Sequence, residues 1–172
     1  MLRDLLRGWI PAPNKLQRYR SVRLFGRWVE ESHLWQLSRQ TAAKAFAIGL
    51  YCAMLPMPGQ VFVAIGLAIL WRANLPLSFA LLFLTNPLTM PPIYYGAYKL
   101  GVSLLGSEPM AVEFEASWTW FTRNLDDIWL PLALGSQILG ILAAASGYLL
   151  VDGLWRNAIK RRWKARQKRR RQ

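Results

Sequence analysis

The sequence predicts an all-α fold: a small polytopic membrane protein whose hydrophobic helices are broken by proline and glycine or re-enter. Three observations lead there. Charge is segregated: residues 1–44 carry nine Lys/Arg and three acids, residues 45–155 three Lys/Arg and six acids, and residues 156–172 ten Lys/Arg and no acid. The net charge of +13 therefore sits almost entirely at the two ends of the 172 residues. Three runs, Ala45–Trp71, Ala73–Tyr98 and Ile128–Val151, contain no charged residue. The first two are interrupted by proline, whose missing N–H and ring clash break a helix interior. A soluble helical protein of this length would have to bury all three runs in one core.

Residues 1–40 read as a basic, amphipathic cytoplasmic segment. Leu24, Phe25, Trp28, Val29, Leu34 and Trp35 recur at roughly helical spacing among Arg23, Arg27, Glu30 and Glu31. Such a helix lies in a membrane interface or packs on the rest of the chain. Arg3 and Arg7 are not followed directly by an apolar stretch, which argues against a cleaved signal peptide.

Residues 41–155 form the predicted membrane domain. In "AFAIGLYCAMLPMPGQVFVAIGLAILW" (45–71), Pro56, Pro58 and Gly59 lie at the centre. The run divides into a helix near Arg39–Leu55 and another near Gln60–Trp71, as a kinked span or a hairpin. In 73–105, an apolar piece ends at Asn86-Pro87. Residues 88–105 follow, with Pro91 and Pro92 near their start and Lys99 near the far end. Asn86 or Thr89 can cap that helix, and Pro87 suits a first turn. Residues 107–127 are acidic and read as external. "IWLPLALGSQILGILAAASGYLLV" (128–151) is long enough to cross about 30 Å of hydrocarbon, and Pro131 falls near its start. Residues 156–172 are a basic tail.

Lys/Arg-rich flanks favour the cytoplasmic side. Both termini are therefore expected in the cytoplasm, with residues 45–71 entering and leaving, 88–105 crossing outward and 128–151 crossing back. That is a multi-pass topology.

The broken segments carry a resemblance. "AIGLYCAMLPMPGQ" (47–60), "LWRANLPLS" (70–78) and "TNPLTMPPIYYGAYKLG" (85–101) resemble the bacterial integral-membrane family labelled domain of unknown function 2062, over roughly residues 35–155. The pattern residues stand here as Pro56, Gly59, Gln60, Arg72, Asn74, Asn86, Pro87, Thr89, Pro91 and Pro92. The resemblance implies a bacterial inner-membrane protein and supplies no catalytic role. Relatives sometimes carry glycosyltransferase domains, and no such domain is present in these residues.

Gln60, Arg72, Asn74, Asn86 and Thr89 are the candidate polar or ligand site, and Pro56, Pro58, Gly59, Pro87, Pro91 and Pro92 are structural breaks. Half-helix N-termini at such breaks can face an anion. The plainer roles are capping for Asn86, turn formation for Gly59-Gln60 and a snorkelling anchor for Arg72. Arg156, Lys160, Arg161, Arg162, Lys164, Arg166, Lys168, Arg169, Arg170 and Arg171 are expected to contact anionic lipid. Nucleic acid is the secondary reading of that tail.

No cofactor or metal is expected. His33 is the single histidine, and Cys52, the single cysteine, lies in an apolar run. Glu113 and Glu115 make no acid/base pair, Asp126-Asp127 suits a helix start, and phosphate-loop, HExxH and GxSxG patterns are missing.

The expected function is a non-enzymatic scaffold or accessory subunit in envelope biogenesis, with a homo-oligomer or envelope protein as partner. The alternatives are a transporter or translocator of an anionic or lipid-linked substrate, and an enzyme of lipid-linked sugar metabolism.

Overall fold

In the computed structural model, which describes residues 32–57, 59–106 and 125–170, the chain leaves helix at Pro56, Gly59 and Pro87, whereas Pro91 and Pro92, expected as breaks, lie inside the first turn of a helix that begins at Met90. A 3-10 turn, Ser32–Trp35, leads to α1 (Arg39–Met54). Then follow α2 (Gln60–Leu70), α3 (Leu75–Leu82), α4 (Met90–Leu105) and α5 (Leu125–Arg170). The described residues are all-α, as expected.

The start of α1 is a reciprocal cap. Ser38 Oγ accepts from Thr41 N (3.2 Å) and Thr41 Oγ1 accepts from Ser38 N (2.9 Å), satisfying two donors of the first turn. Gly59, at φ 93°, enters α2 in the left-handed conformation that glycine adopts without steric cost. Asn74 and Pro76 open α3.

α5 is the spine, and α1 and α4 pack against it. Both run antiparallel to it, one after the other. Arg39 meets Asp152, Leu50 lies against Gly147 and Tyr51 against Gly140. Further along, Ala97 meets Gly135 and Gly101 meets Pro131. Tyr94 Oη donates to the Leu55 carbonyl (3.2 Å) where α1 gives way to α4. α2 and α3 pack on α1, and the core at that end gathers Leu34, Ile48, Cys52, Ile65, Leu75 and Phe79.

The multi-pass expectation is corrected. α1, α2, α3 and α4 have 16, 11, 8 and 16 residues, hence lengths of about 24, 16, 12 and 24 Å against roughly 30 Å of hydrocarbon. Among the described residues one helix, Ile128–Arg161 within α5, is long and apolar enough to cross a membrane. Polytopic architecture and an inner-membrane topology with both termini cytoplasmic therefore lose their basis. The physical reason is the prolines. They cut each of the first two uncharged runs into pieces shorter than a bilayer, so absence of charge was not continuity of helix.

Only 33% of the apolar window in α5 is buried against the rest of the chain, which separates it from a soluble core helix. Trp129, Leu130, Leu134, Ile141, Leu142, Leu149 and Leu150 face outward. Because α5 begins at Leu125, Pro131 lies inside the helix rather than at its first position. Most of 1–40 and 107–127, including Glu113 and Glu115, lies outside the described residues, as do Pro58 and Arg171.

Candidate functional site

The five predicted polar residues do not meet in one place. Arg72 and Asn74 stand beside the first turns of α1, and Gln60 stands at its other end, about 24 Å away along a 16-residue helix. Asn86 and Thr89 close the turn that precedes α4.

The first group is a corner. Asn74 is buried and fully used. Its Oδ1 accepts from Leu77 N (3.0 Å), its Nδ2 donates to the Gln36 carbonyl (3.2 Å), and its own N–H donates to the Thr41 carbonyl (3.1 Å). Asn74 thus caps α3 and ties it to the entry of α1. Next to it, α2 ends with Ala73 N donating to Ala68 O (2.8 Å) and Arg72 N to Ile69 O (3.1 Å). That paired pattern requires a left-handed residue at position 72, usually glycine. Arg72 occupies it at φ 52°, with its side chain exposed. Lys44 Nζ donates to the Trp71 carbonyl (3.1 Å), so a second cation shares the corner.

The second group is the junction of α1 with α4. Gln60, with its amide nitrogen turned toward the chain end it caps, donates to the carbonyls of Leu55 (3.1 Å) and Cys52 (2.9 Å). Leu55 O also accepts from Tyr94, so two carbonyls at the end of α1, those of Cys52 and Leu55, receive side-chain donors. Burial pushes the Tyr94 hydroxyl above its ordinary range and the Cys52 thiol up to about 11. A protonated, buried thiol is a poor nucleophile. Tyr51 Oη and Gln137 Oε1 lie 2.5 Å apart across to α5, and the buried hydroxyl of neighbouring Ser136 has no hydrogen-bond partner among the described residues.

The third group is the turn. Asn86 Oδ1 accepts from Leu88 N (2.9 Å) and Thr89 N (3.1 Å), and Thr89 Oγ1 accepts from Asn86 N (2.9 Å) and donates to Leu84 O (2.6 Å). Pro87 lies within that turn, before α4 begins at Met90, and it is Pro91 and Pro92 that occupy the first turn of α4, where a missing N–H is harmless.

Tyr51, Gln137 and Lys44 escaped the sequence reading, and Tyr94 reads there only as part of an aromatic patch with Tyr95, because the partners lie 86, 27 and 39 positions away and no local spacing marks such pairs. Asp152 escaped it too. It bridges Arg39 (3.4 Å) and Arg156 (2.6 Å) where the apolar part of α5 ends. Beyond it α5 stays helical to Arg170, with Arg156, Lys160, Arg161 and Lys164 exposed. Among the described residues no group of three His, Cys, Asp or Glu side chains could hold a metal ion.

The family model described as an uncharacterized protein conserved in bacteria (DUF2062) matches residues 22–164, most of the chain, and the chain belongs to that family. No curated protein and no solved structure matches it.

Proposed function

From membership of that bacterial family and the presence of one helix able to cross a membrane, we propose that the protein is a membrane-anchored, non-enzymatic scaffold or accessory subunit of the bacterial envelope. One observation carries the reading: the polar residues of the broken segments are spent on helix ends. Asn74, Gln60, Asn86 and Thr89 each satisfy backbone groups of their own corner. A transporter would gather such groups around a shared substrate, whereas here the corner and the junction lie at opposite ends of α1. The buried Cys52 thiol offers no activated nucleophile. The outward apolar face of α5 and its basic extension are left for lipid and for a partner chain.

The test is purification of the full chain in a mild detergent after cross-linking in the membrane. A stoichiometric protein partner, or a defined homo-oligomer, is expected. A lone monodisperse monomer with no cross-linked neighbour would sink the reading.

A further inference from the structure

The corner at Arg72 has features that helix capping leaves unexplained. The backbone there asks for glycine, since a Cβ in the left-handed region is disfavoured and glycine is the usual residue after a helix so closed. Position 72 instead carries a long cation, at φ 52°, with its side chain exposed. Beside it Lys44 has committed one donor, to the Trp71 carbonyl, and an ammonium has three. Among the described residues no carboxylate pairs with either cation. Asp152, at the same end of α1, is already shared by Arg39 and Arg156.

The apolar neighbours are equally specific. Leu70 is 73% exposed and Trp71 52% exposed, directly before Arg72. A half-exposed tryptophan next to unpaired cations is the arrangement found at the level of lipid headgroups. The corner also stands at the right height. Arg39 ties the first residue of α1 to Asp152, which closes the apolar run Ile128–Val151. Thr41 and Lys44, which hold the corner, follow within about two helical turns.

We propose that Arg72 and Lys44 bind the phosphate of an anionic phospholipid at the membrane boundary, with Trp71 seated beside it at the headgroup level. The guanidinium offers a planar pair of donors to phosphate oxygens, and the ammonium adds a point charge. This site is distinct from the basic extension of α5, whose cations lie along one helix beyond Asp152 rather than at a corner between helices. The proposal rests on α5 lying in a membrane, and its test separates the two.

The full-length protein is mixed with phosphatidylcholine vesicles, with or without admixed phosphatidylglycerol. Flotation reads membrane binding, and native mass spectrometry after detergent extraction reads the lipid retained. Arg72→Gly fits the left-handed backbone, so it should fold with unchanged or higher thermal stability. Its preference for phosphatidylglycerol should nevertheless fall roughly three- to tenfold. Lys44→Met should lower the preference as well. Lys160→Gln with Lys164→Gln should weaken flotation while the retained phosphatidylglycerol persists. An Arg72→Gly protein that retains phosphatidylglycerol like the parent overturns the site, although flotation would still support the membrane reading. Full displacement of the lipid by inorganic phosphate overturns the assignment to lipid. Failure of the parent to float with any vesicle overturns the membrane reading and the site with it.

Discussion

Residues 45–71 and 128–151 are uncharged over similar lengths, and both contain proline, yet they fold differently. The first becomes two short helices joined at Leu55–Gly59, while the second is the middle of one 46-residue helix. Position explains the contrast. Pro56 is followed closely by Gly59 at φ 93°, so the chain turns, and Gln60 caps the carbonyls left behind. Pro131 stands alone, with helical residues on both sides, and its missing donor costs one hydrogen bond within an otherwise continuous ladder. The lesson concerns what each helix leans on. α5 has enough continuous length to cross a bilayer, whereas α1 and α4 gain their order by lying along α5.

The largest test of that dependence is at the closest approach. A Cβ on Gly101 would overlap the Pro131 carbonyl, and one on Gly135 would overlap the Ala97 carbonyl. Backbone cannot move aside as a side-chain end can. Gly101→Ala or Gly135→Ala should therefore cost about 3 kcal/mol, the upper part of the overpacking range, and should undock α4 from α5. Chemical unfolding in detergent measures the loss. A change under about 1 kcal/mol would mean that α4 does not depend on this contact.

Asn74→Ala comes next. It removes the acceptor for Leu77 N and the donor to Gln36 O in a buried corner, so a loss of about 2 kcal/mol is expected in the same assay. Asn74→Asp keeps the capping acceptor but turns a buried carboxylate oxygen against the Gln36 carbonyl, so it should cost at least as much as the alanine change.

The breaks themselves were legible in the sequence, because their chemistry is local. Pro56, Gly59, Asn74, Asn86 and Pro87 each lie where a helix ends or begins. The length of α4 was less legible: residues 88–105 read as one crossing helix, but the turn closed by Asn86 and Thr89 delays its start to Met90 and leaves 16 residues. The glycine contacts were not legible. Gly96 and Gly101 look alike in "YYGAYKLG", and only the path of α5 distinguishes them. The candidate site was legible as a set of residues but not as an arrangement. Their polar atoms serve separate corners, with partners set by tertiary packing. Lys44 looked like no more than the charge bounding an apolar run, and its bond to the Trp71 carbonyl follows from the return of α2 along α1.

Asp152 fixes where α1 meets α5. Asp152→Asn should cost about 1 kcal/mol or less, since Arg39 and Arg156 remain partly solvated. Added salt should shrink the difference between variant and parent. A salt-independent loss would instead point to packing around the side chain.

The smallest effect sharpens the comparison most, because it uses one substitution twice on one helix. Gly96 and Gly101 both belong to α4, five positions apart. At Gly96 an added methyl meets nothing within 4 Å. There, alanine only improves helix propensity and restricts the unfolded chain, so Gly96→Ala should stabilise by about 0.5–1 kcal/mol. The two alanine variants should then differ in sign in the same unfolding assay. Destabilisation by both would mean that α4 is also held by a surface covering Gly96, and a partner on that face would be the first explanation to examine. Stabilisation by both would mean that α4 can slide along α5. The end-to-end arrangement of α1 and α4 would then be held mainly by the Tyr94–Leu55 hydrogen bond, and Tyr94→Phe would release it.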